Sequence, residues 1–339
     1  MNLYIYPSAA ITTNGYGLAV IEDLKKQDRL KDDIVIWYVK NSAQSPYYKN
    51  TDIVIKRLKP YGLKRIWNVL RNRVSGELYY EDIKFLRNKN IGNVFCGDVV
   101  FYRAIRKLFP DKQITVRFHN CFSRINTRTQ ILDVKSNLKF RITLKSMFQL
   151  EKEIFNDKKV YKLFISNEDR DYYSMITGRT YDSDTWSFTP NEKLMYKNRK
   201  AIHFSKKIVW FGGLEKHKQD SVRWFINKVF MDLKKDIPDL EFHLWGKGTT
   251  EFNDKKNKIY GHGFYNGEEM PLKGEALYIN PDITGGGIKM KLLTYFENGI
   301  PFISTPFGYE GYSKELIDNK FCYVVEENEW IKKIKTILI

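Results

Sequence analysis

Short apolar runs alternate with stretches of helical spacing along the whole chain. Leu3–Tyr6, Ile34–Val39, Asp52–Ile55, Asn93–Cys96, Ile114–Phe118 and Leu163–Ser166 read as strands in the first half. Ile208–Phe211, Glu241–Trp245, Ala276–Asn280, Pro301–Ser304 and Cys322–Val325 do so in the second. Between them lie helical patterns; within Ser221–Lys234, Val222, Phe225, Val229, Phe230 and Leu233 recur every three to four residues and make one apolar face. Strands separated by helices imply parallel sheets with right-handed crossovers, covered on both faces. The expected architecture is therefore α/β, with two doubly wound, Rossmann-like domains. The stretch from Thr185 to Phe204 is polar and carries Pro190-Asn191, after which Lys207–Gly213 restarts a strand and a glycine turn. This divides the chain into a domain over 1–185, a linker over 186–206 and a domain over 207–339. Ligands of such domains sit at the carboxyl ends of the strands, here expected in a cleft where the two domains face each other.

Composition narrows the class. The 339 residues suit two domains, and 42% hydrophobic content suffices for real cores, which excludes a disordered or collagenous chain. Cys96, Cys121 and Cys322 are odd in number and widely spaced, so neither a disulfide framework nor a four-cysteine zinc site is expected. The start MNLYIYPSAA shows no signal-peptide pattern and no run of eighteen apolar residues follows, so a cytoplasmic location is expected. Fifty-seven Lys and Arg against forty Asp and Glu give a net charge of +17. Such an excess concentrates anions around the chain: phosphorylated metabolites, an acidic lipid surface or nucleic acid.

Candidate chemistry lies in the segments that follow strands. After Asn280 come Gly285-Gly286-Gly287, a helix over about Ile288–Asn298, and Gly299 as its closing residue. A glycine loop opening a helix offers unpaired N–H groups and a positive helix end to an anion. Lys289 and Lys291 fall in the first turn, where positive charge opposes the dipole and a bound phosphate would compensate it. Asn14-Gly15-Tyr16-Gly17 follows the first strand and precedes a helix over Leu18–Gln27. His119 ends the strand QITVRFHN, where it can hydrogen-bond a hydroxyl, and Arg117 is placed on the same strand face as a second such group. His203, His217, His243 and His262 show no metal-ligand spacing. Lys56, Arg57, Lys59, Lys64, Arg65, Arg71 and Arg73 interleave with Leu58, Leu63, Ile66, Trp67, Val69 and Leu70, the pattern of a basic amphipathic helix at a membrane interface. The basic run from Lys135 to Lys145 is similar. The alternative is a helix packing its apolar side on its own domain.

The run GGGIKMKLLTYFENGIPFISTPFGYEG resembles the donor-binding segment of GT-B glycosyltransferases of the family 4-like group, glycosyl transferases group 1. Gly285, Gly287, Ile288, Lys289, Lys291, Gly299, Pro301, Thr305, Gly308, Glu310 and Gly311 stand at its fixed positions. The family's ribose-binding glutamate falls on Thr294, with Glu297 one turn further on, and an acidic position of the glycine loop falls on Gly286. IVWFGGLEKHKQ, residues 208–219, is similar to the family's strand-turn motif; Gly212, Leu214 and Lys218 match, and its arginine falls on Gly213. Leu244–Gly248 and Tyr260–Gly263 fit its strand-end glycines, and Ser166 with Asp169 its later helix start.

The resemblance implies a GT-B fold with the nucleotide-sugar donor on the C-terminal domain and the acceptor on the N-terminal one. Gly15, Gly17, Gly212, Gly213, Gly246, Gly285, Gly286, Gly287, Ile288 and Thr294 would line the donor site. Lys218 would clamp the diphosphate, with Lys289 supplying the missing arginine's charge, and His119 would contact the donor sugar. The implied reaction is hexosyl transfer with retention, without a protein nucleophile, cofactor or metal; the leaving diphosphate is stabilised electrostatically and domain closure excludes water. The implied acceptor is a bacterial surface glycan on a lipid carrier, with Arg65, Trp67 and Arg71 on an anionic inner membrane face. Nucleic acid is not the expected partner, because the aromatics show no RNA-binding pattern. The rival expectation is an inactive GT-B module or a basic nucleic-acid-binding protein.

Overall fold

The computed structural model describes the chain except residues 11–14, 27–29, 41–43, 58–61, 72, 75, 126–137, 182–188, 200–201, 215, 266, 268, 284–285 and 319. Two compact units result, Met1–Trp186 and Ser187–Ile339. The first holds six parallel strands: β1 (Leu3–Tyr6), β2 (Ile34–Val39), β3 (Asp52–Lys56), β4 (Val94–Cys96), β5 (Ile114–Phe118) and β6 (Val160–Phe164), in the order β3-β2-β1-β4-β5-β6. The second repeats the plan with β7 (Lys207–Phe211), β8 (Glu241–Trp245), β9 (Ile259–Gly263), β10 (Leu277–Asn280), β11 (Phe302–Ser304) and β12 (Cys322–Val324), in the order β12-β11-β10-β7-β8-β9. In each sheet the strand order reverses once, between β1 and β4 and between β7 and β10. At that point neighbouring crossovers diverge and leave a crevice at the strands' carboxyl ends.

The apolar runs form the strands because both sheet faces are covered. Ile34–Val39 is buried at every position, as a central parallel strand must be. The helical face read from Val222 to Leu233 is wholly buried, on a helix Lys216–Phe225 that continues through a wider turn, Ile226–Phe230, into Met231–Asp236. The sixth strand lies at Val160–Phe164 rather than Leu163–Ser166, because Ser166 caps the following helix by accepting the Asp169 N–H at 3.1 Å. The strand β9 had no apolar run to announce it. The stretch read as linker, 186–206, contains a helix, Glu192–Asn198, in its described part.

Six helices position the sites: α1 (Gly15–Lys26), α2 (Leu63–Leu70), α3 (Tyr102–Leu108), α4 (Leu138–Asn156), α5 (Asn167–Thr177) and α6 (Glu192–Asn198). The two basic helices differ in kind. Helix α4 buries Leu144, Met147, Leu150 and Ile154. Helix α2 leaves Leu63, Ile66, Trp67 and Leu70 exposed, at 84%, 58%, 54% and 71%. No helix among the described residues is long and apolar enough to cross a membrane.

Candidate functional site

In the second unit, β7 runs into Gly212 and Gly213, and β10 into Asp282 and the glycine loop. Gly212 has φ +145°, and Gly246, after β8, has φ +133°, where a Cβ would fall 1.8 Å from the Gly212 carbonyl oxygen. Gly213 faces open space: a Cβ there would meet nothing within 4 Å. The family's arginine position therefore has room around it and no side chain in it. Two more helices follow, α7 (Lys216–Phe225) and α8 (Met290–Glu297).

The helix after the glycine loop starts at Met290, one to two residues later than the sequence predicts, so Lys289 is its N-cap residue and not part of its first turn. The Lys289 ammonium folds back to donate to the carbonyls of Gly286 (3.2 Å) and Gly287 (2.9 Å). Lys291 does not sit solvated against the helix dipole. Its side chain is only 14% exposed, 3.4 Å from the Asp282 carboxylate, with its ammonium 5.1 Å from the centroid of the Trp210 ring. Burial would push the Asp282 carboxyl up, but the charges of Lys291, Lys289 and Lys218 hold it below the usual carboxylate range. Burial lowers Lys291 to about 8 against the pull of Asp282. Lys218, near the start of α7, thus belongs to one cluster with Lys289, Lys291 and Asp282. Ile288 packs on Gly311, whose φ is +90° and whose Cβ would lie 2.4 Å from the Ile288 side chain. Tyr312 ties the loop to α8, donating to the Lys289 carbonyl at 3.0 Å and accepting the Leu293 N–H at 3.2 Å. Gly285 lies outside the described residues.

Thr294 is half-buried on α8, and its carbonyl accepts the Asn298 N–H and side-chain amide, at 3.1 and 2.9 Å. Glu297 is engaged elsewhere: its carboxylate accepts the Asn191 N–H at 3.2 Å and its carbonyl the Asn198 amide at 2.7 Å, so α6 docks there. Gly299 closes α8 with φ +62°, as read from the sequence.

In the first unit, Gly15 and Gly17 are inside the first turn of α1 rather than in a loop before it. Gly17 is buried and helical, so it contributes close packing rather than a left-handed turn. Tyr16 between them donates to Asp98, which follows β4 and also accepts the Val100 N–H at 3.0 Å. The Tyr16 ring lies 4.5 Å from that of His119. His119 comes one residue after β5; burial, then the Arg117 charge, push its imidazole well below the usual range, against a hydrogen bond with the Gly97 backbone. It is neutral at physiological pH, and its Nε2 is buried without a hydrogen-bond partner among the described residues. Arg117 is not a second open group: it is fully buried and ion-paired with Asp23 of α1.

Five contributors escaped the sequence reading: Asp23, Asp98, Glu151, Asp282 and the pairing of Lys291. Asp23 leaves one trace, an acid on the apolar side of α1 beside Val20 and Ile21; Asp98 leaves another, an Asp after Gly97 at a strand end. Glu151 of α4 accepts the N–H groups of Phe122 (2.7 Å) and Ser123 (3.2 Å), fixing the turn just beyond His119. Burial raises its carboxyl from 4.5 to about 7. The folded chain therefore holds this proton more tightly than the unfolded one. The stabilisation is complete below pH 4.5 and is lost as pH rises through about 7. Glu151→Gln is expected to flatten this slope, which in the wild type amounts to up to about 3 kcal/mol. Urea unfolding at about pH 5 and pH 8 measures it; an equal slope in both proteins would contradict the assignment.

Among the described residues no group of three His, Cys, Asp or Glu side chains is arranged to hold a metal ion. Residues 205–339 match the sequence profile of a family described as glycosyl transferases group 1. A Klebsiella pneumoniae protein described as an uncharacterized 44.6 kDa protein in the cps region is 31% identical over 99 residues, 26% of each chain, so the match spans about a quarter of that relative. The crystal structure of WaaG, a glycosyltransferase involved in lipopolysaccharide biosynthesis, superposes with a TM-score of 0.59 at 10% identity, over 100% of this chain and 90% of WaaG. Anabaena Alr3699/HepE, solved in complex with UDP, gives 0.55 at 12% identity, over 100% and 89%. At such identities the likeness is one of fold.

Proposed function

We propose, from the premise that this is a GT-B chain whose residues 205–339 belong to the glycosyl transferases group 1 family, that it transfers a sugar from a nucleoside diphosphate donor to a glycan acceptor. The observation that carries this reading is the lysine cluster. Lys218, Lys289 and Lys291 converge with one buried carboxylate where the crossovers from β7 and β10 diverge, so the cluster carries surplus positive charge beside a glycine turn. That arrangement suits a diphosphate leaving group, whose charge develops as the glycosidic bond breaks. In this reading Lys218 and Lys289 stabilise the departing diphosphate, and neutral His119 is the hydrogen-bonding group toward the donor sugar. The acceptor hydroxyl attacks with retention, as the family resemblance implies. Thr294 meets the ribose with one hydroxyl in place of a carboxylate, a weaker contact.

The acceptor class is a bacterial surface glycan on a lipid carrier. The cps-region relative and WaaG's role in lipopolysaccharide biosynthesis support it. The test is nucleoside diphosphate release from UDP-, GDP- and dTDP-sugars, with and without lipid-linked glycan acceptors. Acceptor-dependent release supports transfer. Donor binding without release leaves a non-catalytic donor-binding module, a reading that the Thr294 and Gly213 replacements favour. Stabilisation by oligonucleotides instead of nucleotides abandons the donor site.

The same reading places α2 on an anionic leaflet. Leu63, Ile66, Trp67 and Leu70 form an exposed apolar stripe, Arg71 stacks over Trp67 at 4.4 Å, and the chain carries +17. The side chain of Arg65 lies outside the described residues. Trp67→Ser with Leu70→Ser is expected to weaken binding to phosphatidylglycerol vesicles at least about tenfold, since each side chain contributes roughly 1.5–3 kcal/mol when fully buried. Co-sedimentation measures it. Unchanged binding by the double variant, or equal binding to phosphatidylcholine vesicles, contradicts the placement.

A further inference from the structure

The Asp282 carboxylate is a puzzle for an anion site, because it stands among the lysines that would meet the anion. It is also unusually well held. Its residue is 2% exposed, its carbonyl accepts the Thr305 hydroxyl, and the next N–H, of Ile283, donates to Ser221 at 3.2 Å. Its carboxylate meets Lys291, whose ammonium is caught between that oxygen at 3.4 Å and the buried Trp210 ring. The ionisable groups acting on Lys291 are Asp282, Lys218 of α7 and Lys289 at the head of α8; those acting on Asp282 are the same three lysines, and Asp282 in turn acts on the Tyr295 hydroxyl.

We propose that Asp282 is a positioning residue of the diphosphate site: it keeps Lys291 charged and fixed beneath the glycine loop, so that three ammonium groups stand assembled before the anion arrives. This rests on the donor-binding reading above and adds to it the residue that organises the site. The physical reason is burial. An ammonium removed from water beside two other cations sheds its proton unless a carboxylate is adjacent. Burial already brings Lys291 down to about 8 with Asp282 in place. Without Asp282 it becomes a neutral amine near pH 7, and the site loses one cation where formal charge alone counts one anion removed.

Two accounts of Asp282 therefore predict opposite signs. If it only repels the ligand, Asp282→Asn tightens anion binding. If it holds Lys291 charged, the same variant weakens it. The probes are UDP and inorganic pyrophosphate, titrated calorimetrically into the full chain between about pH 6.5 and 9, with each probe's own ionisation over that range measured and subtracted. The wild type is expected to lose affinity as pH rises through about 8. Asp282→Asn is expected to bind at least about tenfold more weakly near pH 7.5, with its pH midpoint lower by about one unit or more. Adding Lys291→Arg, a cation that does not titrate in this range, is expected to restore affinity and remove the pH dependence. A variant that binds as tightly as the wild type or tighter, with the midpoint unmoved, overturns the proposal. Where Asp282→Asn does not fold, Lys291→Arg alone decides: the proposal requires it to bind with a flat pH profile, and a retained fall near pH 8 overturns it. If the wild type binds neither probe, the donor reading fails and this proposal with it; wild-type binding with an indifferent Asp282→Asn fails this proposal alone.

Discussion

Lys218→Ala is expected to remove most of the melting-temperature shift that a nucleoside diphosphate gives the wild-type chain, and Lys289→Ala to do the same. Both ammonium groups act on the Asp282 carboxylate, and in the proposed donor-binding role they meet the same anion. A charge-assisted hydrogen bond to a phosphate contributes roughly 1.5–3 kcal/mol, or about 10- to 150-fold in affinity. Ligand at a hundred times its Kd stabilises by about 2.7 kcal/mol, so that loss consumes most of the effect. The measurement is a thermal screen against UDP, GDP, CMP and dTDP, which also identifies the base. Lys289→Ala carries a second signature, because the amine also donates to the Gly286 and Gly287 carbonyls. Its unliganded melting point should therefore fall. Retention of the full nucleotide shift by both variants would remove the cluster from the donor site.

Gly246→Ala is expected to be the most damaging methyl group that can be added near the site. Its Cβ would lie 1.8 Å from the Gly212 carbonyl oxygen and 2.6 Å from its carbon, at φ +133°. The surrounding backbone has little freedom to move: Gly246 donates to Gly263 at 2.6 Å and Gly212 to Trp245 at 3.0 Å. Backbone strain and overpacking each cost about 1–3 kcal/mol, so a loss of roughly 3–5 kcal/mol follows. Gly213→Ala, one residue from the struck carbonyl, meets nothing within 4 Å and should be close to neutral. Urea unfolding of the two variants side by side tests the contrast, and equal midpoints would contradict it.

Much of this fold is legible in the chain because parallel strands covered on both faces must be apolar throughout. Ile34–Val39 is the clearest instance. Strand β9 is absent from the apolar pattern, and only the resemblance's strand-end glycines pointed to it, because Ile259–Gly263 carries two glycines, a His and a Tyr, and edge strands need not be apolar. The glycine loop, Lys289 and His119 stood out as candidates because each follows a strand, where doubly wound sheets place ligands; Lys218 stood out through the family resemblance. Their partners could not. Asp282 is a single acid in a loop, and its meaning depends on Lys218 in a distant helix and on Lys291 turning inward. Arg117 has the alternation of a site residue, and only the packing of α1 against β5 shows that Asp23 neutralises it.

The sequence by itself thus determined the two α/β units, all but one of their strands, and which loops follow strand ends, since periodicity and glycine placement are local properties of the chain. Which charges are paired, which are buried and which helix keeps its apolar side uncovered were decided only by the tertiary structure. Those depend on distances between residues far apart in sequence and on how much water each site retains, and neither quantity is encoded in spacing.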